Sequence, residues 1–214
     1  MTKTLTCRTA ALLAGGWLLF IAGCQHRPAD SLVEIERVVP GVVLDLRYAT
    51  TNNFTGQVLY PEARAWLRPA TAKKLAAVAR DLEPMGLRLK VFDAYRPLSV
   101  QRQLWALIPD ERYVANPAKG SRHNRGAAVD VTLVRADGTE LPMPTAFDDF
   151  SERAHRNFRA LPAEVIANRE LLEAVMTRNG FVGLPTEWWH FDDAEYRRYG
   201  VLDVPLSGPS SRPR

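Results

Sequence analysis

Apolar residues between positions 69 and 85 recur at spacings of three and four: Ala72, Leu75, Ala76, Ala79 and Leu82. That period marks a helix with one buried face. Pro69 suits its first turn and Gly86 lies just past its end, so the pattern predicts a helix over 69–85. Ser99 to Leu107 reads as a shorter helix, and Glu164 to Asn179 as an amphipathic one that Gly180 closes. Alternation at Leu87 to Phe92 predicts a strand, Ala127 to Val134 another, and Phe181 to Phe191 a last one. Leu32 to Tyr48 reads as extended chain, its β-rich runs broken by Pro40-Gly41. A polar loop runs up to about Gly126, and residues 135–162 are mostly irregular. No internal repeat or linker interrupts residues 30–206. The expected fold is a single α+β domain, mainly antiparallel sheet with flanking helices.

The 214-residue chain is 46% apolar and 24% charged, an ordinary globular composition of a size suited to one core. Its one long apolar stretch, Ala10 to Ala22, lies near the N-terminus, which excludes a polytopic membrane protein. Lys3 and Arg8 precede that stretch and no acidic residue occurs before Asp30. It is short for a membrane span and right for the core of a secretory signal. It ends in Ile21-Ala22-Gly23-Cys24. The small residues give a peptidase access to the bond, and the thiol is an acyl acceptor. The tetrapeptide resembles the lipobox of bacterial lipoproteins. That resemblance implies removal of residues 1–23 and lipidation of Cys24, leaving a tether over 24–31, a folded domain over 32–206 and a disordered tail over 207–214.

A lipid on Cys24 would hold the domain on a membrane outside the cytoplasm. In a double-membraned cell, Gln25 after the cysteine, rather than Asp, points to the outer membrane with the domain in the periplasm. Cys7 and Cys24 are the two cysteines, so the domain itself carries neither a disulfide nor a thiol nucleophile. The formal charge of +4 includes Lys3 and Arg8 of the leader, and no run of five basic residues follows. A nucleic-acid partner is not expected.

Two of the four histidines sit in dense local contexts. The first is Ser121-Arg122-His123-Asn124-Arg125-Gly126-Ala127-Ala128-Val129-Asp130. Asp130 falls on a strand otherwise built from Ala, Val, Thr and Leu, where burying an acid is costly unless something positive neutralises it. Ala128 and Thr132 share its face and leave room around the carboxylate. Alone, this fits an Asp paired with Arg or capped by amides equally well. The second context is Glu187-Trp188-Trp189-His190, where the tryptophans would exclude water and raise a carboxylate pKa. In a regular strand Glu187 and His190 point to opposite faces. Either a bulge reorients one of them, or Glu187 belongs to a preceding loop. Alone, this reads as an aromatic strand with a core histidine.

Together the contexts supply more. His123, Asp130 and His190 make two imidazoles and one carboxylate, the protein ligand number of a catalytic zinc that keeps one position for water. Glu187 is then a fourth group free to take a proton. A structural zinc site would recruit cysteine. A third feature is Asp93-Ala94-Tyr95-Arg96-Pro97 at the end of a predicted strand. Arg96 is placed either to stabilise an oxyanion from a cleft or to pair with Asp93 on the surface.

These residues resemble a known family. Ser121, His123, Gly126, Ala128 and Asp130, then Glu187, Trp189 and His190, match the S-x-H-x-x-G-x-A-x-D and E-x-W-H patterns of zinc D-Ala-D-Ala peptidases and hedgehog-like domains. Leu46-Arg47-Tyr48-Ala49-Thr50, Asn53-Phe54-Thr55-Gly56, Tyr95-Arg96-Pro97, Phe147-Asp148 and Ser151-Glu152-Arg153-Ala154-His155 narrow the resemblance to the D-alanyl-D-alanine dipeptidases. It implies the hedgehog/DD-peptidase fold, one zinc ion on His123, Asp130 and His190, Glu187 as general base and Arg96 as transition-state stabiliser. It further implies that Asp148 and Tyr48 meet the amino end of a dipeptide and that Ser121 faces it. Rejection of blocked substrates would follow from the Asp148 charge. His155 is expected to be structural or to lie outside the substrate shell. Two departures stand out: Arg122 where family members often have a second serine, and Pro144 where they have glycine. Either would alter the pocket if it reaches it. The implied reaction is hydrolysis of D-Ala-D-Ala in wall turnover outside the cytoplasm. A murein carboxypeptidase and a non-catalytic wall-binding lipoprotein are the alternatives, the first disfavoured by Asp148 and the second by the intact Glu187 and ligand set.

Overall fold

The computed structural model describes residues 31–207. The expected leader, Cys24, the tether except Ser31 and the tail except Ser207 lie outside these residues. The first strand, β1 (Val33–Glu34), pairs antiparallel with β3 (Trp66–Leu67) in a two-stranded sheet. The main sheet has five strands in the order β2-β4-β5-β7-β6: Val43–Leu44, Leu87–Asp93, Ala128–Arg135, His190–Asp193 and Phe181–Gly183. Only β2 runs parallel to its neighbour; the remaining pairings are antiparallel, as expected of an α+β domain.

Helices α1 (Pro69–Leu82) and α3 (Ala163–Arg178) cover one face of this sheet. The stripe Ala72, Leu75, Ala76, Ala79 and Leu82 of α1 meets Leu172, Val175 and Met176 of α3 and the inward residues Leu89, Val91, Val129, Val131 and Leu133 of the strands. Helix α2 (Leu98–Leu107) belongs to a second cluster with Tyr48, Tyr60, Trp66 and Tyr95. Alternation along β5 therefore does what the sequence implied. Val129, Val131 and Leu133 go into the helical core, and Asp130 goes to the opposite side.

Three expectations change. The helix over 69–85 ends at Leu82, because Pro84 cannot continue it, and a 3-10 turn over Glu83–Met85 runs into Gly86 at φ +68°. The extended stretch 32–48 is broken by 3-10 turns at Ile35–Arg37 and Arg47–Ala49. The last strand is a hairpin: β6 and β7 are joined by a loop over residues 184–189, and Glu187 lies in that loop. This settles the facing conflict between Glu187 and His190 in favour of the loop.

Candidate metal centre and active site

Two of the predicted metal ligands are cross-strand neighbours. Asp130 on β5 stands opposite His190 on β7, so their side chains leave the sheet together on the face that the helices do not cover. His123 arrives from a 3-10 turn, His123–Arg125, that ends at Gly126 in the left-handed conformation, φ +65°. A Cβ at Gly126 would sit 2.7 Å from Leu32 Cδ2 and 3.3 Å from the Arg68 backbone nitrogen, so both the turn and its packing require glycine. The turn is braced from within. Ser121 Oγ accepts the His123 N–H at 3.1 Å, and Asn124 Oδ1 accepts the Ser121 N–H at 2.7 Å. Asn124 Nδ2 donates to the Arg96 carbonyl at 2.8 Å. Ser121 therefore caps the histidine turn as well as lining the cleft.

His123 Nε2 lies 3.1 Å from His190 Nδ1 and 3.5 Å from Asp130 Oδ1, and His190 Nδ1 lies 3.0 Å from the same oxygen. The outward nitrogens are already committed. His123 Nδ1 is 2.6 Å from the Ala94 carbonyl, which can only accept, so that nitrogen carries the proton. His190 Nε2 is 3.0 Å from Asp192 Oδ1 and donates to that carboxylate. Three lone-pair atoms then face one another in a buried spot. Such a cluster is stable only around a cation. With bonds of about 2.0–2.1 Å, the ligand atoms of a tetrahedral zinc stand roughly 3.3 Å apart. The three atoms thus already have the size of one face of that shell, and the donor set fits the ion. In the metal-free protein a proton on His190 does the neutralising. Burial opposes that charge, but the carboxylates of Asp130 and Asp192 outweigh burial and push the imidazole up to about 10. Burial also opposes ionisation of Asp130, yet His123 and His190 hold its carboxyl well below the usual range.

The cleft beside this cluster is lined by Arg96, Tyr48, Asp148, Glu187, Ser121 and Trp189 among others. The structure therefore brings every predicted site residue of the described chain to one place. Burial raises the Glu187 carboxyl, and the Asp130 charge adds to the effect. Trp188 and Trp189 are both buried, and Trp188 Nε1 donates to Thr145 Oγ1 at 2.9 Å, tying the Glu187 loop to the loop that carries Asp148. Arg156 holds the same loop from behind. Its Nε donates to the Leu184 carbonyl at 2.9 Å and its Nη2 to the His190 carbonyl at 2.7 Å. Gly183 is what lets it pass, since a Cβ there would come within 2.3 Å of the guanidinium carbon.

Arg96 does pair with Asp93, but the pair is buried and belongs to the cleft wall rather than to the outer surface. A bulge in β4 between Val91 and Asp93 brings Asp93 level with Asp130 of the neighbouring strand. Asp93 Oδ2 accepts from Arg96 Nε at 3.0 Å and Nη2 at 2.6 Å, while Gln101 Oε1 accepts from Nη1 at 2.9 Å. The guanidinium lies 5.0 Å from the centre of the Tyr48 ring. These three bonds leave two of its five N–H donors for a substrate.

Asp148 is the one non-glycine residue at positive φ, +62°, among the described residues. Its Oδ2 accepts the Tyr48 hydroxyl proton at 3.1 Å. Burial, reinforced by Asp130 and opposed by Arg96, pushes the Asp148 carboxyl well above its usual range. Native protein thus holds this proton more tightly than unfolded chain. The stabilisation it gives is complete below the ordinary carboxyl range near 3.8 and is lost as pH rises through the folded value. Asp148→Asn keeps a residue type that tolerates the left-handed conformation and removes the charge. The metal-free Asp148→Asn protein is expected to melt higher than the unsubstituted protein at pH 8, with the gap closing toward pH 4. Thermal unfolding across that range checks this, and a gap that does not change with pH contradicts it.

Of the two departures, Arg122 is among the residues that line the cleft. Its Nε is 3.5 Å from Asp192 Oδ2 and its guanidinium 5.0 Å from the Tyr196 ring centre, so it stands at the cleft rim. Pro144 is buried in the loop leading to Asp148. The His155 carbonyl accepts from Arg169 Nη1 at 3.2 Å, and His155 is not part of the cleft lining, in line with a structural role. Sequence reasoning missed Gln101, Asn124, Arg156 and Asp192. Only Asp192 left a local signal, two residues beyond His190 on the same strand face.

The chain matches the family described as D-Ala-D-Ala dipeptidase over residues 28–203. It is similar to a D-alanyl-D-alanine dipeptidase of Escherichia coli K12, 39% identical over 171 residues, covering 80% of this chain and 89% of that one. An Enterococcus faecium enzyme of the same description is 33% identical over 187 residues, covering 73% and 88%. Among solved structures, a vancomycin-resistance D,D-pentapeptidase in complex with Zn(II) is similar at a TM-score of 0.41 and 17% identity, over 67% of this chain and 83% of that one. With the family match spanning nearly the whole folded region, the chain belongs to the D-Ala-D-Ala dipeptidases and is a metallopeptidase.

Proposed function

We propose that this protein hydrolyses the dipeptide D-Ala-D-Ala to two D-alanines with one zinc ion, outside the cytoplasm, in turnover of cell-wall dipeptides. The observation that carries the reading is the cluster of His123 Nε2, His190 Nδ1 and Asp130 Oδ1, with their outward partners fixed, beside Glu187. A zinc ion held there supplies Lewis acidity toward the scissile carbonyl and lowers the pKa of water to about 7. Glu187, its proton affinity raised by burial, takes the proton from the attacking water and returns it to the leaving amine. The free N–H groups of Arg96 bind the oxygen that gains charge as the carbonyl becomes tetrahedral. Arg96 cannot swing away, because Asp93 and Gln101 hold it.

Asp148, backed by the Tyr48 hydroxyl, pairs with the substrate ammonium. A blocked or extended amino end supplies no positive charge to draw the buried Asp148 carboxyl into its ionised form, so the site selects free dipeptides over longer stem peptides. Ser121 lines the same cleft and offers its hydroxyl proton to the substrate. The leader over residues 1–23, with Cys24 directly after it, supports a lipid-anchored location in the periplasm. The test is release of free D-alanine from D-Ala-D-Ala by the purified protein. Turnover should vanish with a chelator and return on adding zinc. Turnover that survives complete metal removal would refute the reading, and so would cleavage of N-blocked substrates as fast as the free dipeptide.

A further inference from the structure

We propose that Asp192 is the outer partner that makes His190 a strong metal ligand, and that Arg122 holds Asp192 in that role; this rests on the metal reading above. The two imidazoles are supported differently. His123 donates outward to a neutral acceptor, the Ala94 carbonyl, at 2.6 Å, with the Asp93 carboxylate farther off at 3.7 Å. His190 donates outward to a carboxylate, Asp192 Oδ1, at 3.0 Å. A carboxylate behind an imidazole fixes its tautomer and ring orientation and raises the basicity of the ligating nitrogen. Strand geometry puts the two side chains on the same side of the sheet. His190 and Asp192 are alternate residues of β7 on the same face, whereas Phe191 between them is fully buried in the helical core.

The second oxygen of Asp192 is engaged from the other side. Arg122 Nε approaches Asp192 Oδ2 at 3.5 Å, and the Arg122 side chain is spread at 5.0 Å from the Tyr196 ring centre. Arg122 immediately precedes His123, so one short segment supplies a metal ligand inward and a brace for the other ligand's partner outward. The side chain of Asp192 is only 13% exposed, so the brace acts on a largely desolvated carboxylate. The arginine at this position thus reaches the metal site through a chain of three side chains, Arg122, Asp192 and His190.

The experiment is competition for zinc between a chromogenic chelator and the metal-free full-length protein, in four forms: unsubstituted, Asp192→Asn, Arg122→Ala and the double variant. Asp192→Asn is isosteric and retains a hydrogen-bond acceptor, and far-ultraviolet circular dichroism confirms its fold. It is expected to bind zinc about 10–100-fold more weakly. Arg122→Ala is expected to weaken binding less, and the double variant to bind no more weakly than Asp192→Asn alone, because Arg122 acts through Asp192. Unchanged affinity in a folded Asp192→Asn protein would overturn the assignment of Asp192. Losses that simply add in the double variant would overturn that of Arg122. Failure of the unsubstituted protein to take up zinc would instead refute the metal reading.

Discussion

Replacing Glu187 by glutamine is expected to lower kcat for D-Ala-D-Ala by about 10²–10⁴, the usual contribution of a positioned general base. Zinc content should not change, because the three ligand atoms that face one another belong to His123, Asp130 and His190. Glutamine retains the size of the side chain and the turn that the Glu187 N–H closes on the Leu184 carbonyl at 3.2 Å. The loop is also held by Arg156 and by the Trp188–Thr145 bond, neither of which involves the carboxylate. Loss of turnover with full metal loading would therefore isolate proton transfer. Steady-state kinetics with atomic absorption on the same samples measures both quantities. A Glu187→Gln protein with wild-type kcat removes this residue from the reaction.

Replacing Arg96 is expected to act on both catalysis and stability. Arg96→Lys retains the charge but loses the fork that meets Asp93 through two nitrogens and Gln101 through a third. A displaced ammonium cannot hold the same donors on the developing oxyanion. The expected fall in kcat is about 10²–10³, with a smaller change in KM. Arg96→Ala leaves Asp93 fully buried with only the Tyr60 hydroxyl and the Ala94 N–H as donors. Breaking a buried pair in this way costs about 3–5 kcal/mol, which chemical denaturation detects. Full activity in the Arg96→Lys protein would show that the guanidinium fork is not needed.

How far the sequence reveals this site depends on the range of the interactions involved. Helix α1 and strand β5 are visible because burial of one face writes a period into consecutive residues, and the Asp130 face of β5 follows from that period. His123 and His190 stand out because chemically rare residues crowd into short segments. The Arg96–Asp93 pair is also local, but its burial is not. It follows from a bulge in β4 and from Gln101, and these depend on packing between distant segments. The position of Glu187 is undecided in the sequence for the same reason. The loop between β6 and β7 is braced by Arg156, which approaches from outside the hairpin through the gap left by Gly183, and nothing in residues 181–191 reports that contact. Arg122 stands out in the sequence as a departure from the family pattern. Its direction is set by Asp192 and Tyr196, and no local rule reports that.

The central claim is that His123, Asp130 and His190 share one metal ion. A crystal of the zinc-loaded protein measured on either side of the zinc absorption edge tests it directly. The account predicts a single anomalous peak within about 2.0–2.2 Å of His123 Nε2, His190 Nδ1 and a carboxylate oxygen of Asp130. A peak elsewhere, or none in a folded protein given excess zinc, would contradict it.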